Sequence, residues 1–473
     1  MNDDQGRDSR GDIPGHASED LPLAPTEPSQ DLVAEPPAPA VAEAAERSRN
    51  GDWAYGFVLQ LLVAGFSVTA LQATRPMVTY RALGLDAGPF EIGLVQSAFS
   101  IVPVFTAVAL GRWVDRIGEA RFLTVAMAAI TAGSVVVAFS NSLVLLALGQ
   151  AVMGFGQITS LVAGQAMIAN RGPRDRREHR YGWYSTVASL GQLAGPAIGA
   201  VLVGGAIAGS IGSASGAVPP AGPFADNPEA PVFLFSAVAS GIACLLSLRL
   251  PRRRPQPTAA TDDGIASLGL AAAAMRVLRR PGMAAAMLVS ITVISAVDVL
   301  VAYLPAYGEQ NGLSVETVGL LLSVRAGASL ISRVFMGRMI ERLGRERLLA
   351  TSMAMAGIGI VALPFVGSIP VLFALMILIG LGLGLGQPMT IAWVANRSPR
   401  PERGLALGVR LTGNRGALLI VPTMMGAIAG ASGLTAIWLV LAMFLGAGSF
   451  VASRTPFDEL VARPRTAGPE PAA

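Results

Sequence analysis

The chain has 473 residues, 52% of them hydrophobic and only 14% charged, with a formal net charge of +4. A soluble domain carries about 25% charged residues, so this composition excludes an ordinary water-soluble globule and makes the lipid bilayer the expected surroundings. The positive balance is no nucleic-acid signal, because its arginines flank apolar runs; all 35 basic residues are arginine, which leaves no lysine for a Schiff base, and Cys244 stands alone, which leaves no disulfide framework.

Residues 1–52 form an acidic tail: positions 1–50 hold eleven Asp or Glu against four Arg, among many Pro, Ala and Ser. Such a composition cannot bury a core and reads as disordered. It also lacks the basic start and apolar core of a signal peptide. Apolar runs follow near 53–74, 90–110, 122–140, 142–168, 182–207, 231–250, 283–306, 315–336, 348–367, 369–395, 404–429 and 433–453. Each approaches the roughly 20 residues that cross a bilayer. Helices are expected, since lipid offers no partner to a loose backbone group, and the alternation of barrel strands is absent. The fold class read from this is an all-α membrane protein, with twelve transmembrane helices in two six-helix halves, 53–250 and 283–453. A linker, 251–282, joins them and carries an amphipathic helix over 265–280. A tail, 454–473, closes the chain.

The two halves are copies. Gly111-Arg112-Trp113-Val114-Asp115-Arg116-Ile117-Gly118, which runs on to Arg121, returns 226 residues later as Gly337-Arg338-Met339-Ile340-Glu341-Arg342-Leu343-Gly344. At that offset, without a gap, residues 92–121 and 318–347 share nine identities, and Gly154, Gly156, Gly182 and Pro196 fall on Gly380, Gly382, Gly408 and Pro422. Apolar bias alone does not align Gly, Pro and Arg at one fixed spacing, so the chain reads as a duplicated bundle with pseudo-symmetric halves.

Loops after even-numbered spans hold three, five, seven, four and three arginines, while those after odd-numbered spans hold Arg81 alone. The arginine-rich face is therefore expected to be cytoplasmic, with both termini on that side of the plasma (inner) membrane.

Twelve spans with a Gly-x-x-x-Asp-Arg-x-Gly loop after the second span of each half resemble the major facilitator superfamily over 53–453. The family's signature loop maps onto Gly111, Asp115, Arg116, Gly118 and Arg121, and its second copy onto Gly337, Glu341, Arg342 and Gly344. Glu119 and Ala120 depart from the basic pair usual there. The resemblance implies a carrier working by alternating access, in which Asp115 engages the start of the eleventh span, near Glu402, when the inner gate is shut. Glu341 would face the fifth span near Gly182. Gly111 and Gly337 are expected to permit close helix approach where the chain turns. In the fifth span, Gly182, Gly191, Gly195, Pro196 and Gly199 resemble the antiporter motif of drug:proton exchangers; small-residue packing is the competing explanation. Gln150 stands where such exporters usually carry Arg, which puts the usual proton relay in doubt.

Charges deep in a span are costly and point to function. Asp298 is the one acidic residue well inside a span, which makes it the leading proton carrier. Arg75 lies at a similar level in the first span, and the family fold places the first and seventh spans against each other. An Arg75–Asp298 gate or coupling contact is therefore expected; a static bridge within one half, or an Asp298–Ser295 bond, is the alternative. Arg325, Arg410 and Arg415 leave a surplus of positive charge. Arg325 and Arg415, with Gln150 and Gln387, are the candidate solute ligands, and the surplus suits an anionic solute, unless Arg410 snorkels to the membrane edge and Arg325 bonds backbone. No nucleotide motif, metal-ligand spacing or nucleophile–base pair is present, so no enzyme activity, cofactor or metal is expected. The reading is a secondary transporter, acting as a monomer and exporting solute in exchange for protons. Uptake or exchange of a small organic anion is one alternative, and a sensor built on the transporter fold is another.

Overall fold

A computed structural model describes residues 39–171, 177–212, 227–252, 270–399 and 402–457. The first part of the acidic tail, the middle of the 208–230 loop, the start of the linker and most of the C-terminal tail lie outside these residues, as do the side chains of Arg112 and Asp115. The chain divides into residues 1–49 and a body of residues 50–473.

Twelve helices in the body are long and apolar enough to cross a membrane. They are α1 (Pro39–Leu83, its apolar part Ala54–Leu83), α2 (Pro89–Ile117), α3 (Glu119–Ala138), α4 (Leu143–Asn170), α5 (Arg177–Gly212) and α6 (Ala230–Leu248), then α7 (Met283–Gln310), α8 (Val315–Leu343), α9 (Arg345–Ala362), α10 (Ile369–Asn396), α11 (Arg403–Ser432) and α12 (Leu434–Arg454). A short linker helix, Leu270–Leu278, precedes α7. The described residues contain no strand. Helix starts follow local chemistry. Pro89 occupies the first turn of α2, where a missing N–H is harmless. Ser142 and Ser314 cap α4 and α8, their hydroxyls accepting from the N–H of Leu145 (3.3 Å) and Thr317 (3.2 Å).

The signature loops correct one expectation. The chain does not turn at Gly111 and Gly337; α2 and α8 run on through them to Ile117 and Leu343. The turns fall at Gly118 (φ 102°) and Gly344 (φ 75°), left-handed conformations in which a side chain would be strained. Gly337 has nothing within 4 Å of where a Cβ would stand, so it makes no close helix contact here.

The duplication is visible as repeated packing. A Cβ on Gly154 would strike the Phe99 carbonyl, and one on Gly380 the Arg325 carbonyl; Gly156 faces Ala126 and Ile130, and Gly382 faces Ser352 and Ala356. Each second contact is the first shifted by 226 residues. Small residues let these helices approach until backbone meets side chain, which is how helices associate where lipid removes the hydrophobic driving force. Val144, Val201, Leu245, Val334 and Met443 point outward and exposed, as a lipid-facing surface requires.

Candidate functional site: a charged seam between the halves

The halves meet at their arginine-poor ends, and the contacts there are again paired by the repeat. Gly93 of α2 lies against Pro422 of α11, and Gly319 of α8 lies against Pro196 and Ala200 of α5. Gly93 and Gly319, like Pro196 and Pro422, are equivalents at the 226-residue offset. The glycine of each half thus seats the proline of the other. Proline bends its helix by deleting an internal hydrogen bond, and a glycine opposite leaves room for the bend.

Tyr303 of α7 reinforces this contact. Its hydroxyl donates to the Pro422 carbonyl at 2.7 Å, with the Pro89 carbonyl at 3.2 Å, so one side chain ties α7 to α2 and α11. The Thr79 hydroxyl donates to the Ala302 carbonyl at 2.8 Å, and Ser97 and Thr423 share a hydrogen bond of 2.9 Å.

One turn further in, the Arg75 guanidinium is ion-paired with Asp298 across the halves. Asp298 is 3% exposed, so this pair is shielded from water, where Coulomb attraction is least screened. Arg75 also lies over the Phe99 ring, 5.1 Å from its centroid. Of the sequence alternatives, neither a bridge within one half nor an Asp298–Ser295 bond is present: Ser295 Oγ is buried without a partner. Arg415 is an electrostatic neighbour of both Arg75 and Asp298 and donates to Gln157 Oε1 of the other half at 3.1 Å. Arg333, which the sequence reading passed over, donates to Ser189 Oγ across the halves at 3.2 Å and to the Gly384 carbonyl at 3.0 Å.

The other expected ligands separate into two places. Gln387 accepts from Arg410 at 2.7 Å, and Arg410 also donates to Thr390 at 3.1 Å; Arg410 therefore does not snorkel outward. Gln150 is 1% exposed, with both amide atoms unpartnered inside the N-terminal half, so it shares no site with Gln387 here. Arg325 bonds no backbone carbonyl; among the described residues its guanidinium has no hydrogen-bond acceptor.

The glycines of the fifth-span motif have a packing task. Gly191 rests on Val68 and Thr69, Gly195 on Gln72 and Ala73, and Gly199 on Ala73, all on α1. Pro196 faces the other half. At the arginine-rich ends, Gly182, Gly404 and Gly408 have nothing within 4 Å of a would-be Cβ, and Trp113, Arg116, Arg121, Trp183, Glu341 and Arg342 are exposed. The expected Asp115 contact lies outside the described side chains. A separate cavity of about 530 Å³ between α1, α5 and α6 is lined by Val58, Leu62, Phe66, Val187, Phe235 and Ala239. It has no charged wall and is distinct from the seam.

A profile of the Major Facilitator Superfamily matches residues 58–324 and 287–472. Over 402 residues the chain is 24% identical to the class G tetracycline resistance protein of Vibrio anguillarum, covering 80% of this chain and 90% of that one. It is 26% identical to the class C tetracycline resistance protein of Escherichia coli over 380 residues, 77% and 86% of the two chains. A shorter match, 32% identity over 156 residues, links it to the multidrug resistance protein MdtG of Yersinia enterocolitica, covering 32% of this chain and 37% of that one. Among solved structures, a bacterial homolog of the human lysosomal transporter Spinster, inward-facing and unoccupied, superposes with a TM-score of 0.66 at 17% identity, covering 85% and 97%. A mutant of the nucleoside transporter NupG gives 0.67 at 16%, covering 84% and 98%.

Proposed function

This chain belongs to the major facilitator superfamily and is a transporter, not an enzyme; from that premise we propose that it exports a small solute in exchange for protons, with Arg75 and Asp298 as the coupling gate. The observation that carries the reading is the Arg75–Asp298 ion pair, because it joins the halves beside the closed Gly–Pro contacts. A proton on Asp298 removes the negative charge that holds Arg75. The α1–α7 contact then loses its charge-assisted bond, and the Tyr303, Thr79 and Ser97–Thr423 hydrogen bonds with the Gly–Pro packing are left to resist separation of the arginine-poor ends. Return of the proton to the other side restores the pair and closes that end.

With the arginine-rich face cytoplasmic, the Gly–Pro contacts lie at the outer ends, so the described conformation is closed to the outside. The tetracycline and multidrug resistance names of the relatives support export over uptake. The solute site lies at mid-depth between the halves, as in carriers that rock about a central site, with Arg415 and Gln157 at its centre.

Purified protein in liposomes with an imposed pH gradient tests the gate. Asp298→Asn should retain counterflow of solute but lose acceleration by the gradient. Gradient-driven flux at the unmodified rate in Asp298→Asn protein would remove Asp298 from coupling.

A further inference from the structure

The export reading leaves the solute's charge open, and the inference drawn here rests on that reading. We propose that the solute carries an oxyanion, a carboxylate, sulfonate or phosphate, and that Arg325 receives it.

Away from the helix ends, among the described residues, five guanidiniums (Arg75, Arg325, Arg333, Arg410 and Arg415) stand against one carboxylate, Asp298. Arg75 already holds that carboxylate. The acceptors on Arg333, Arg410 and Arg415 are all neutral: a serine hydroxyl, a backbone carbonyl, two glutamines and a threonine. Removing charges from water carries a large desolvation penalty unless an opposite charge offsets it. Four positive charges are therefore stationed here without a counter-ion from the chain.

Arg325 is the extreme case. It is 5% exposed, its Nε is buried without an acceptor, and no described residue accepts from its other nitrogens. Its charged neighbour, Arg333, repels it. Nor can α8 readily withdraw it. Its carbonyl lies against Gly380, and Ser329 one turn on donates to the Gly380 carbonyl at 2.9 Å. The repeat fixes its location relative to the seam. Arg325 is the equivalent of Phe99, whose ring lies beneath Arg75; the same 226-residue shift carries Arg75 to position 301, on α7, one turn from Asp298.

Three further buried groups without a partner can donate to an anion. Ser295 Oγ, Ser323 Oγ and Gln387 Nε2 are buried with no partner, and each has an N–H or O–H to donate. A guanidinium offers paired donors in one plane, matched to two oxygens of an oxyanion. A cationic solute would meet four like charges and find Asp298 occupied.

The probes are naphthalene-2-carboxylate, 2-naphthamide and naphthalen-2-ylmethylammonium, one shape with three charges. Binding to the purified full chain is measured by titration calorimetry. The carboxylate should bind at least about tenfold more tightly than the amide or the ammonium. Arg325→Gln should remove about tenfold or more of that affinity and lower that of the amide by less, and Arg325→Lys should restore part of it. Preference for the ammonium, absence of carboxylate binding, or equal carboxylate affinity in Arg325→Gln protein each overturns the proposal. Should the variants fail to fold, the order of the three probes on the unmodified chain still decides it. Proteoliposome flux separates this inference from the export reading. Arg325-dependent binding without flux upholds the anion site and removes export; gradient-driven flux of the ammonium without carboxylate binding upholds export and removes the anion site.

Discussion

The paired Gly–Pro contacts predict that Gly93→Ala forces the arginine-poor gate open. A methyl at Gly93 would press on the Pro422 carbonyl oxygen, lie 2.9 Å from its carbonyl carbon and 2.6 Å from Tyr303 Oη. Ordinary contact begins near 3.4 Å, so α2 and α11 must separate by several tenths of an ångström or more. The obstructing atoms include helix backbone, which cannot rotate aside. Overpacking of this kind costs about 1–3 kcal/mol, and the penalty falls only on the conformation in which these ends touch. At about 1.4 kcal/mol per tenfold change, the balance should move about 5- to 150-fold towards the conformation open at that end. The assay is a distance distribution between spin labels on Gly84→Cys and Gln310→Cys, both exposed at the arginine-poor ends, in a Cys244→Ser background. Gly319→Ala, whose methyl would lie 2.7 Å from the Pro196 carbonyl oxygen, should shift the distribution the same way. A folded Gly93→Ala protein with an unchanged distribution would refute the reasoning.

Tyr303→Phe removes the hydroxyl that bridges α7 to Pro422. Losing one net hydrogen bond, about 0.5–1.5 kcal/mol, should widen the same label distance in a minor population and raise it about two- to tenfold; no new population would count against the clasp. Glu229 stands just before α6 and is 8% exposed. Burial pushes its carboxyl up, and Glu309 adds to this, while its backbone hydrogen bond and the Arg81 guanidinium pull the other way. A folded-state acid raised above its unfolded value, about 4.3, favours the fold when protonated. That advantage is present below the unfolded pKa and is lost as pH rises through the folded one. Glu229→Gln should therefore raise the melting temperature at neutral pH, with the gain fading towards pH 4. A gain that grows on acidification would contradict the assignment.

The seam suggests why a carrier places its charges where it does. Arg75–Asp298 lies beside a steric closure made by two Gly–Pro pairs, and the steric part alone holds the ends by packing. Dispersion contacts carry no information about solute or proton. A shielded ion pair does, because a single proton changes its strength far more than it would in water. Under the proposed coupling, the ion pair set next to the packed contacts would let a proton on Asp298 bias a conformational change whose geometry the glycines and prolines define.

Much of the architecture was legible in the residues. Twelve spans, two copies at an offset of 226 and the single deep carboxylate follow from hydropathy, spacing and the cost of charge in lipid, whereas the turn in each signature loop falls at Gly118 and Gly344 and not at Gly111 and Gly337. The Arg75–Asp298 contact could be anticipated because only one deep acid existed to pair. What could not be read was the direction in which each helix faces. In a membrane, lipid-facing and packed sides are both apolar, so the pattern that orients a helix in water is nearly absent. For that reason Gln150 looked equivalent to Gln387 yet is sealed in one half, while Arg333 and Gln157 passed unnoticed as parts of the seam. Gly93 and Pro422 were each visible as matched repeat positions, but their contact crosses from one half to the other. Only the tertiary structure, which sets the rotation of every helix about its own axis, decided that the two copies close on each other.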